Sequence, residues 1–395
     1  GGPYQLQITG KDNQISIKDI LIGDVWLCSG QSNMQWVVNN VTNAEVEKKN
    51  ANYSQIRTLN IPRRMELSPK DTISTTWLVC SPETVGRFSG VAYFFARKVY
   101  EETNIPIGII NSSWGGTIVE TWTSLEAANT LPQKRLDRYN KNEKLSPPTE
   151  YFTRTNKEAK RNDYPSLVYN AMIHPLLSFA IKGVVWYQGE NNVGNAEPYT
   201  DWLTCMISDW RNRWNSELPF YIIQLPNFDS TNKTPLWAEI RDAQRKVLTV
   251  PKTHLIVTSD LGDPHDLHPR NKQEVGMRVA LQVLHHEYGR PDIVSESPMF
   301  ERMEINGDKI IITFKNTGSG LEIRSRYGCL QGFTIAGEDK KFYWAQGELK
   351  DNRIVIWNPK VPNPIAVRYN WENNPDGNLY NKDGLPACLF RTDNW

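Results

Sequence analysis

Four short polar segments in this chain each follow directly on an apolar run, and together they hold the groups that acyl transfer needs. They are Ser29-Gly30-Gln31-Ser32-Asn33-Met34, Asn111-Ser112-Ser113-Trp114-Gly115-Gly116-Thr117, Gln188-Gly189-Glu190-Asn191-Asn192 and the stretch from Asp260 to Pro269 that contains His265, Asp266 and His268. Such a reaction uses a nucleophile, a base, a group that orients the base, and donors where oxyanion charge develops. A hydroxyl, backbone amides beside glycine, an amide side chain, carboxylates and an imidazole are all present. Ser32 is well placed for attack if it opens a helix, because the first amides of a helix favour negative charge; the plain alternative is that Ser32 only caps that helix. Met34 stands where a second glycine would complete G-x-S-x-G, which argues against the strained nucleophile elbow of α/β-hydrolases.

The elements that must position these residues are legible as strands and helices. The runs Val25 to Cys28, Ile107 to Ile110, Val184 to Tyr187, Phe220 to Ile223 and Leu255 to Val257 are apolar without alternation, the pattern of strands covered on both faces. Between them, Ser89 to Glu102 opens on a serine cap and repeats Val91, Phe94, Phe95 and Val99 at helical spacing, and Gln273 to Tyr288 repeats Val275, Val279 and Val283. Strand, helix, strand at this pitch predicts a parallel sheet with right-handed crossovers, whose ligands bind at the carboxyl ends of the strands. The first 22 residues read as a β hairpin packing with a C-terminal module, residues 23–295 as the catalytic domain, and residues 296–395 as a β-rich module. Lys134 to Asn162, polar and without apolar period, reads as a surface excursion.

Composition narrows the partners. The chain has 395 residues, 39% hydrophobic and 23% charged, so it folds around a sizeable core and is neither disordered nor collagen-like. A formal net charge of +1 offers no field for nucleic acid or an anionic membrane, and no apolar run approaches the roughly 20 residues of a spanning helix. Five cysteines without CxxC spacing read as small buried hydrophobes, with one disulfide at most in prospect. A metal reading of His265, Asp266 and His268 with His285 and His286 is weak, because the last two are expected to be solvated on a helix, and no phosphate loop is present. The expectation is therefore no metal and no cofactor. Gly1 to Tyr4 carries no leader features, which suggests a processed chain. Fourteen tryptophans, five of them near the polar blocks, suit a sugar ligand, although most are expected in the core.

These blocks resemble a known family. Gly23-Asp24-Val25-Trp26-Leu27-Cys28-Ser29-Gly30-Gln31-Ser32-Asn33-Met34 is similar to the first block of the sialate O-acetylesterases of the SGNH hydrolase superfamily. Ser113 to Thr117, Trp186 to Glu190 and Asp266 to Pro269 resemble the later blocks, and the tail from Gly384 to Trp395 resembles that of bacterial members. The resemblance implies a flavodoxin-like α/β three-layer sandwich with a parallel sheet and flanking β-rich segments. It implies Ser32 as nucleophile, His268 as base, and an oxyanion hole from the Ser32 amide, the Gly115 or Gly116 amide and the Gln188 side chain. Two departures matter: the third block reads Gln188-Gly189-Glu190 where G-x-N-D is usual, so Asn191 stays possible as the amide donor. His265 occupies the position three before the histidine where an aspartate is usual. Asp266 and Glu190 therefore both stand as candidate orienters of His268, and Gln31, Asn191, Trp114, Arg241 and His265 as candidate substrate contacts. Arg241 would suit a sialic acid carboxylate, or would pair with Glu190 or Asp260. The function implied is removal of O-acetyl groups from a sugar, sialic acid first, in the periplasm or outside the cell. The rivals are an acetyl xylan esterase and a carbohydrate-binding protein without turnover.

Overall fold

A computed structural model describes residues 1–141, 143–146, 164–229 and 234–395. Most of the expected polar excursion lies outside these residues; its described start holds one short helix, Gln133–Leu136. The chain divides into two compact units that interleave in sequence. The first comprises Gly1–Gln188, Cys205–Tyr221 and Arg270–Leu284, and the second Gly189–Thr204, Ile222–Pro269 and His285–Trp395.

The first unit opens on a hairpin, β1 (Tyr4–Thr9) and β2 (Gln14–Ile20). Its main sheet contains β3 (Asp24–Gly30), β4 (Tyr53–Asn60), β5 (Trp77–Cys80), β6 (Ile107–Ser113) and β7 (Gly183–Tyr187) in the order β5-β4-β6-β3-β7. The pairs β4/β6, β6/β3 and β3/β7 are parallel, and β5 is an antiparallel edge. The same sheet continues through β8 (Phe220–Ile223), which begins in the first unit, to β9 (Thr253–Ile256) in the second. This is the α/β sheet expected, and each apolar run lies on one of its strands. Two strands, β4 and β5, lie outside those runs. Ser54, Gln55, Arg57 and Thr58 interrupt β4, so it lacks the continuous apolar signature of a covered strand, whereas β5 is itself a short apolar run, Trp77 to Cys80, with Trp77 and Val79 exposed at the sheet edge.

The serine cap also holds: Ser89 Oγ accepts from the Ala92 amide at the start of the Gly90–Thr103 helix. Val91, Phe94, Phe95 and Val99 are buried there, each worth about 1.5–3 kcal/mol against exposure. The Lys272–Glu287 helix buries Val275, Val279 and Val283 in the same way. Most of the tryptophans near the polar blocks prove to be core. Trp122 and Trp186, and Trp186 and Trp210, meet edge to face at 5.8 Å, with all three fully buried. All five cysteines are thiols; burial pushes Cys80 up to about 12 and Cys388 up to about 11, as suits packing groups. No described helix is long and apolar enough to cross a membrane.

The second unit ends in the expected β-rich module. β10 (Met299–Asn306) and β11 (Lys309–Lys315) are followed by β12 (Leu321–Ile323), β13 (Phe333–Ala336), β14 (Phe342–Trp344), β15 (Gln346–Lys350), β16 (Arg353–Trp357), β17 (Ala366–Tyr369), β18 (Leu379–Asn381) and β19 (Phe390–Arg391). Two four-stranded antiparallel sheets form, β10-β11-β16-β15 and β14-β13-β17-β19. They share one core: Ile310, Ile312, Ile354 and Ile356 from one sheet cluster with Phe333, Ile335, Val367, Tyr369 and Phe390 from the other.

Candidate active site

The nucleophile candidate sits where β3 breaks into a helical turn. Gly30 ends the strand at φ 136°, and a Cβ there would stand 2.1 Å from the Tyr187 carbonyl oxygen, so only glycine lets β3 and β7 close at this point. The Gln31 amide donates to that same carbonyl at 3.0 Å. Ser32 opens the short helix Ser32–Gln35, whose Met34 and Gln35 amides turn back to the Gln31 carbonyl. Ser32 is half-buried, while Asn33 and Met34 behind it are buried.

The Trp114 to Thr117 loop, after β6, closes over this turn. The Trp114 amide donates to the Gly30 carbonyl at 2.9 Å, and a Cβ on Gly115 would lie 3.1 Å from Ser32 Cβ. Absence of a side chain at Gly115 is what allows the approach. Its amide donates to Gln35 Oε1 at 2.8 Å, so of the two glycine amides considered, that of Gly115 is already engaged. Gly116 follows at φ 76°, a conformation that favours glycine. Gln188, at the end of β7 and fully buried, donates through Nε2 to Gln31 Oε1 at 3.1 Å and to the Thr117 carbonyl at 3.0 Å. It therefore ties the Ser32 turn to the glycine loop. Gln31, a candidate substrate contact, is only 1% exposed and accepts that bond, whereas Trp114 is half-buried.

Two residues of this framework went unnoticed in the sequence. Gln35 holds the Gly115 amide, one helical turn after Ser32. Lys272 is fully buried, donates to Asn33 Oδ1 at 2.6 Å and stands 5.5 Å from the centre of the Tyr187 ring. A buried ammonium is costly unless bonded, so Lys272 and Asn33 fix one another beside Ser32. The only hint in the sequence was a cation opening the helix that follows the histidine block.

In the second unit, Gly189 takes φ 154°, and Glu190 begins a single 3₁₀ turn, Glu190–Asn192, with only 9% of its surface exposed. Asn191 beside it is exposed. The histidine block is a tight local structure. Asp266 Oδ1 accepts from the His268 main-chain amide at 2.8 Å, and Asp263 Oδ1 accepts from that of His265 at the same distance. Each is an Asx turn, in which a short carboxylate satisfies the backbone two residues on. Asp266 thus shapes the loop that presents His268, which is half-buried, while His265 is exposed.

Arg241 departs from expectation. It is fully buried, donates through Nε to the Trp237 carbonyl at 3.2 Å, and through Nη2 to the main-chain carbonyls of Glu372 and, at 3.0 Å, Asn373. Its hydrogen bonds go to main-chain carbonyls rather than to Glu190 or Asp260. Composition reveals that Arg241 is on a helix but not which face it occupies, and here it faces inward. Burial pushes the guanidinium down to about 9, still cationic at neutral pH. Arg241→Met is expected to destabilise the protein by roughly 2–5 kcal/mol, because three main-chain carbonyls lose a guanidinium donor, and Arg241→Lys to rescue little of this because an ammonium lacks the fork. Urea denaturation checks both; an unchanged midpoint for Arg241→Met refutes this account.

His286 Nε2 lies 3.3 Å from Glu296 Oε1 and its ring packs on His254 with centroids 4.0 Å apart. The donor atoms of these three residues lie within 4.8 Å of one another, so His286 is engaged rather than merely solvated. None of the candidate catalytic residues belongs to this group.

Known proteins resemble this chain over most of its length. Residues 22–285 match the family described as carbohydrate esterase, sialic acid-specific acetylesterase. Sialate O-acetylesterases of Pongo abelii and Homo sapiens are 33% and 32% identical over 345 residues, covering 78% of this chain. This chain spans 62% of the length of those relatives. The crystal structure of a carbohydrate acetylesterase from Xanthomonas citri superposes with a TM-score of 0.88 at 37% identity, covering 100% of this chain and 86% of that one. Since the family match takes in both strand-end turns, the buried Gln188 and the histidine loop, the chain belongs to the sialic acid-specific acetylesterase family of carbohydrate esterases.

Proposed function

We propose that this chain is a serine carboxylic ester hydrolase of the SGNH type that removes O-acetyl groups from a sugar. The observation that carries the reading is the Ser32 turn: a serine opening a helical turn, overlaid at 3.1 Å by the position a Gly115 side chain would take, in a chain of this family. Ser32 Oγ attacks the acetyl carbonyl while His268 takes its proton. The tetrahedral oxyanion is received by the Ser32 and Gly116 amides, with the Gln188 amide joining by giving up one of its two present acceptors. Collapse of the intermediate breaks the bond to the sugar oxygen, which takes the proton from His268 and leaves as a hydroxyl, so that the acetyl group remains on Ser32. A water deprotonated by the same imidazole then attacks that ester and releases acetate, the proton returning to Ser32.

Sialic acid is the substrate the family description favours. A neutral acetylated glycan such as acetyl xylan is the second reading, supported by the burial of Arg241, which removes the one guanidinium considered for a sialate carboxylate. Either substrate suits a protein exported to the periplasm or beyond. Hydrolysis of p-nitrophenyl acetate is expected and would dispose of a purely carbohydrate-binding role. Acetate release from O-acetylated sialic acids compared with acetyl xylan decides the substrate: a kcat/KM at least about tenfold higher for one assigns it. No turnover of any ester overturns the proposal.

A further inference from the structure

The outer face of the sheet β14-β13-β17-β19 has a composition that packing does not explain. Along these strands alternate residues point to opposite faces. Phe333, Ile335, Val367 and Tyr369 point into the module core. On the other face the register places Trp344 beside Thr334 and Thr334 beside Arg368, with Phe342 two residues from Trp344. Trp344 lies on the edge strand with 57% of its surface exposed. One exposed aromatic is ordinary surface, but Phe342 and Trp371 line the same cleft as Trp344, and a cluster of this kind is informative.

That face and the loop after β17 enclose a cleft of about 160 Å³, lined by Phe342, Trp344, Thr334, Asn370, Trp371 and the acidic pair Glu372 and Asp376. Asn370 is 4% exposed, and its Oδ1 has no hydrogen-bond partner among the described residues. A Cβ on Gly332 would come within 2.6 Å of that oxygen and one on Gly377 within 2.0 Å, so the two glycines pack against the Asn370 side chain and enclose it.

The cleft is held ready from beneath. Arg241 grips the carbonyls of Glu372 and Asn373, Asn227 donates to Asn374 Oδ1 at 2.7 Å, and the Trp237 amide donates to Asn373 Oδ1 at 2.9 Å. Holding a loop in its binding form lowers the entropic cost of ligation. Charge selects the ligand. Arg368 lies 3.9 Å over the Phe342 ring and is bonded at 2.8 and 2.6 Å to both carboxylate oxygens of Asp393, which Arg391 also approaches at 4.0 Å, so this carboxylate offsets part of the local positive charge. Glu372 and Asp376 remain at the rim, and burial with Asp376 alongside pushes the Glu372 carboxyl up. Carboxylates accept from hydroxyls and repel anions.

We propose that the C-terminal β module carries a second carbohydrate site, in which a neutral pyranose stacks its C–H face on Trp344 and gives its hydroxyl hydrogens to Glu372 and Asp376. The site would hold a glycan on the module independently of the ester chemistry at Ser32. Calorimetric titration of the full chain with unacetylated xylohexaose, cellohexaose and mannohexaose, and with oligosialic acid, tests it; none of these probes contains an ester, so the result does not depend on the esterase reading. At least one neutral hexasaccharide is expected to bind. Trp344→Ala should weaken it about tenfold or more, and Trp344→Tyr, which keeps an aromatic face, should retain most of the affinity. Thermal melts report folding, and Trp344→Gln stands in for the alanine variant if that one does not fold. The proposal is overturned if no neutral hexasaccharide binds at millimolar concentration, if Trp344→Ala or Trp344→Gln binds as the parent does, or if oligosialic acid binds as well as the neutral probes and loses that binding in the same variants.

Discussion

Ser32→Ala is expected to lower kcat for acetyl ester hydrolysis by at least about three orders of magnitude while leaving the protein folded. Stability should survive because the surrounding contacts do not use the hydroxyl: Gly30 and Gln31 are fixed by the Tyr187 carbonyl, Asn33 by Lys272, and Met34 by Ser89, whose Oγ donates to its carbonyl at 2.6 Å. The backbone that positions the oxyanion donors is therefore retained, and some residual acceleration should come from them alone. Stopped assays on the purified variant, with melting temperature as the control for folding, give the answer. Turnover within tenfold of the parent by a folded Ser32→Ala protein refutes the assignment, and so does a parent enzyme inhibited by chelators but untouched by serine-directed phosphonates.

The ends of the covered strands were legible because their chemistry is compressed into short runs. Val25 to Cys28 and Val184 to Tyr187 are apolar without alternation, became the adjacent strands β3 and β7, and delivered Ser32 and Gln188 to one strand end. The polar residues scattered along β4 hid that strand, and β5, only four residues from Trp77 to Cys80, was too short a run to stand out. What a side chain faces was legible least of all. Arg241 and Lys272 both lie on helices that the residue pattern suggests, yet no periodicity in polar residues says that Arg241 points at the carbonyls of Glu372 and Asn373, or Lys272 at Asn33. Those contacts join residues more than a hundred positions apart, and only the packed structure specifies them. Asp266 is the opposite case. Its bond to the His268 amide spans two residues, and the Asx turn was foreshadowed by Asp-x-His in the sequence.

That turn shapes the second large effect expected, the identity of the carboxylate that orients His268. A carboxylate bonded to the imidazole holds the useful tautomer and stabilises the imidazolium, so losing it costs on the order of 10³–10⁴ in kcat. Asp266 commits one carboxylate oxygen to the His268 main chain, whereas Glu190 is a nearly buried carboxylate on a short turn after β7. Glu190→Gln is therefore expected to fall by about 10³ or more, because it removes the charge and keeps the shape. Asp266→Asn retains a side-chain carbonyl that can accept from the same amide, so its loss should stay within about tenfold, and Asp266→Ala, which destroys the turn, should lose more than the asparagine variant. The Glu190→Gln, Asp266→Ala double variant should lose much less than the product of its parents, since both act through one imidazole. Rates across pH for each single variant and the double separate the roles. A dead Asp266→Asn beside an active Glu190→Gln would transfer the triad acid to Asp266, and full activity in both would remove both carboxylates from the mechanism.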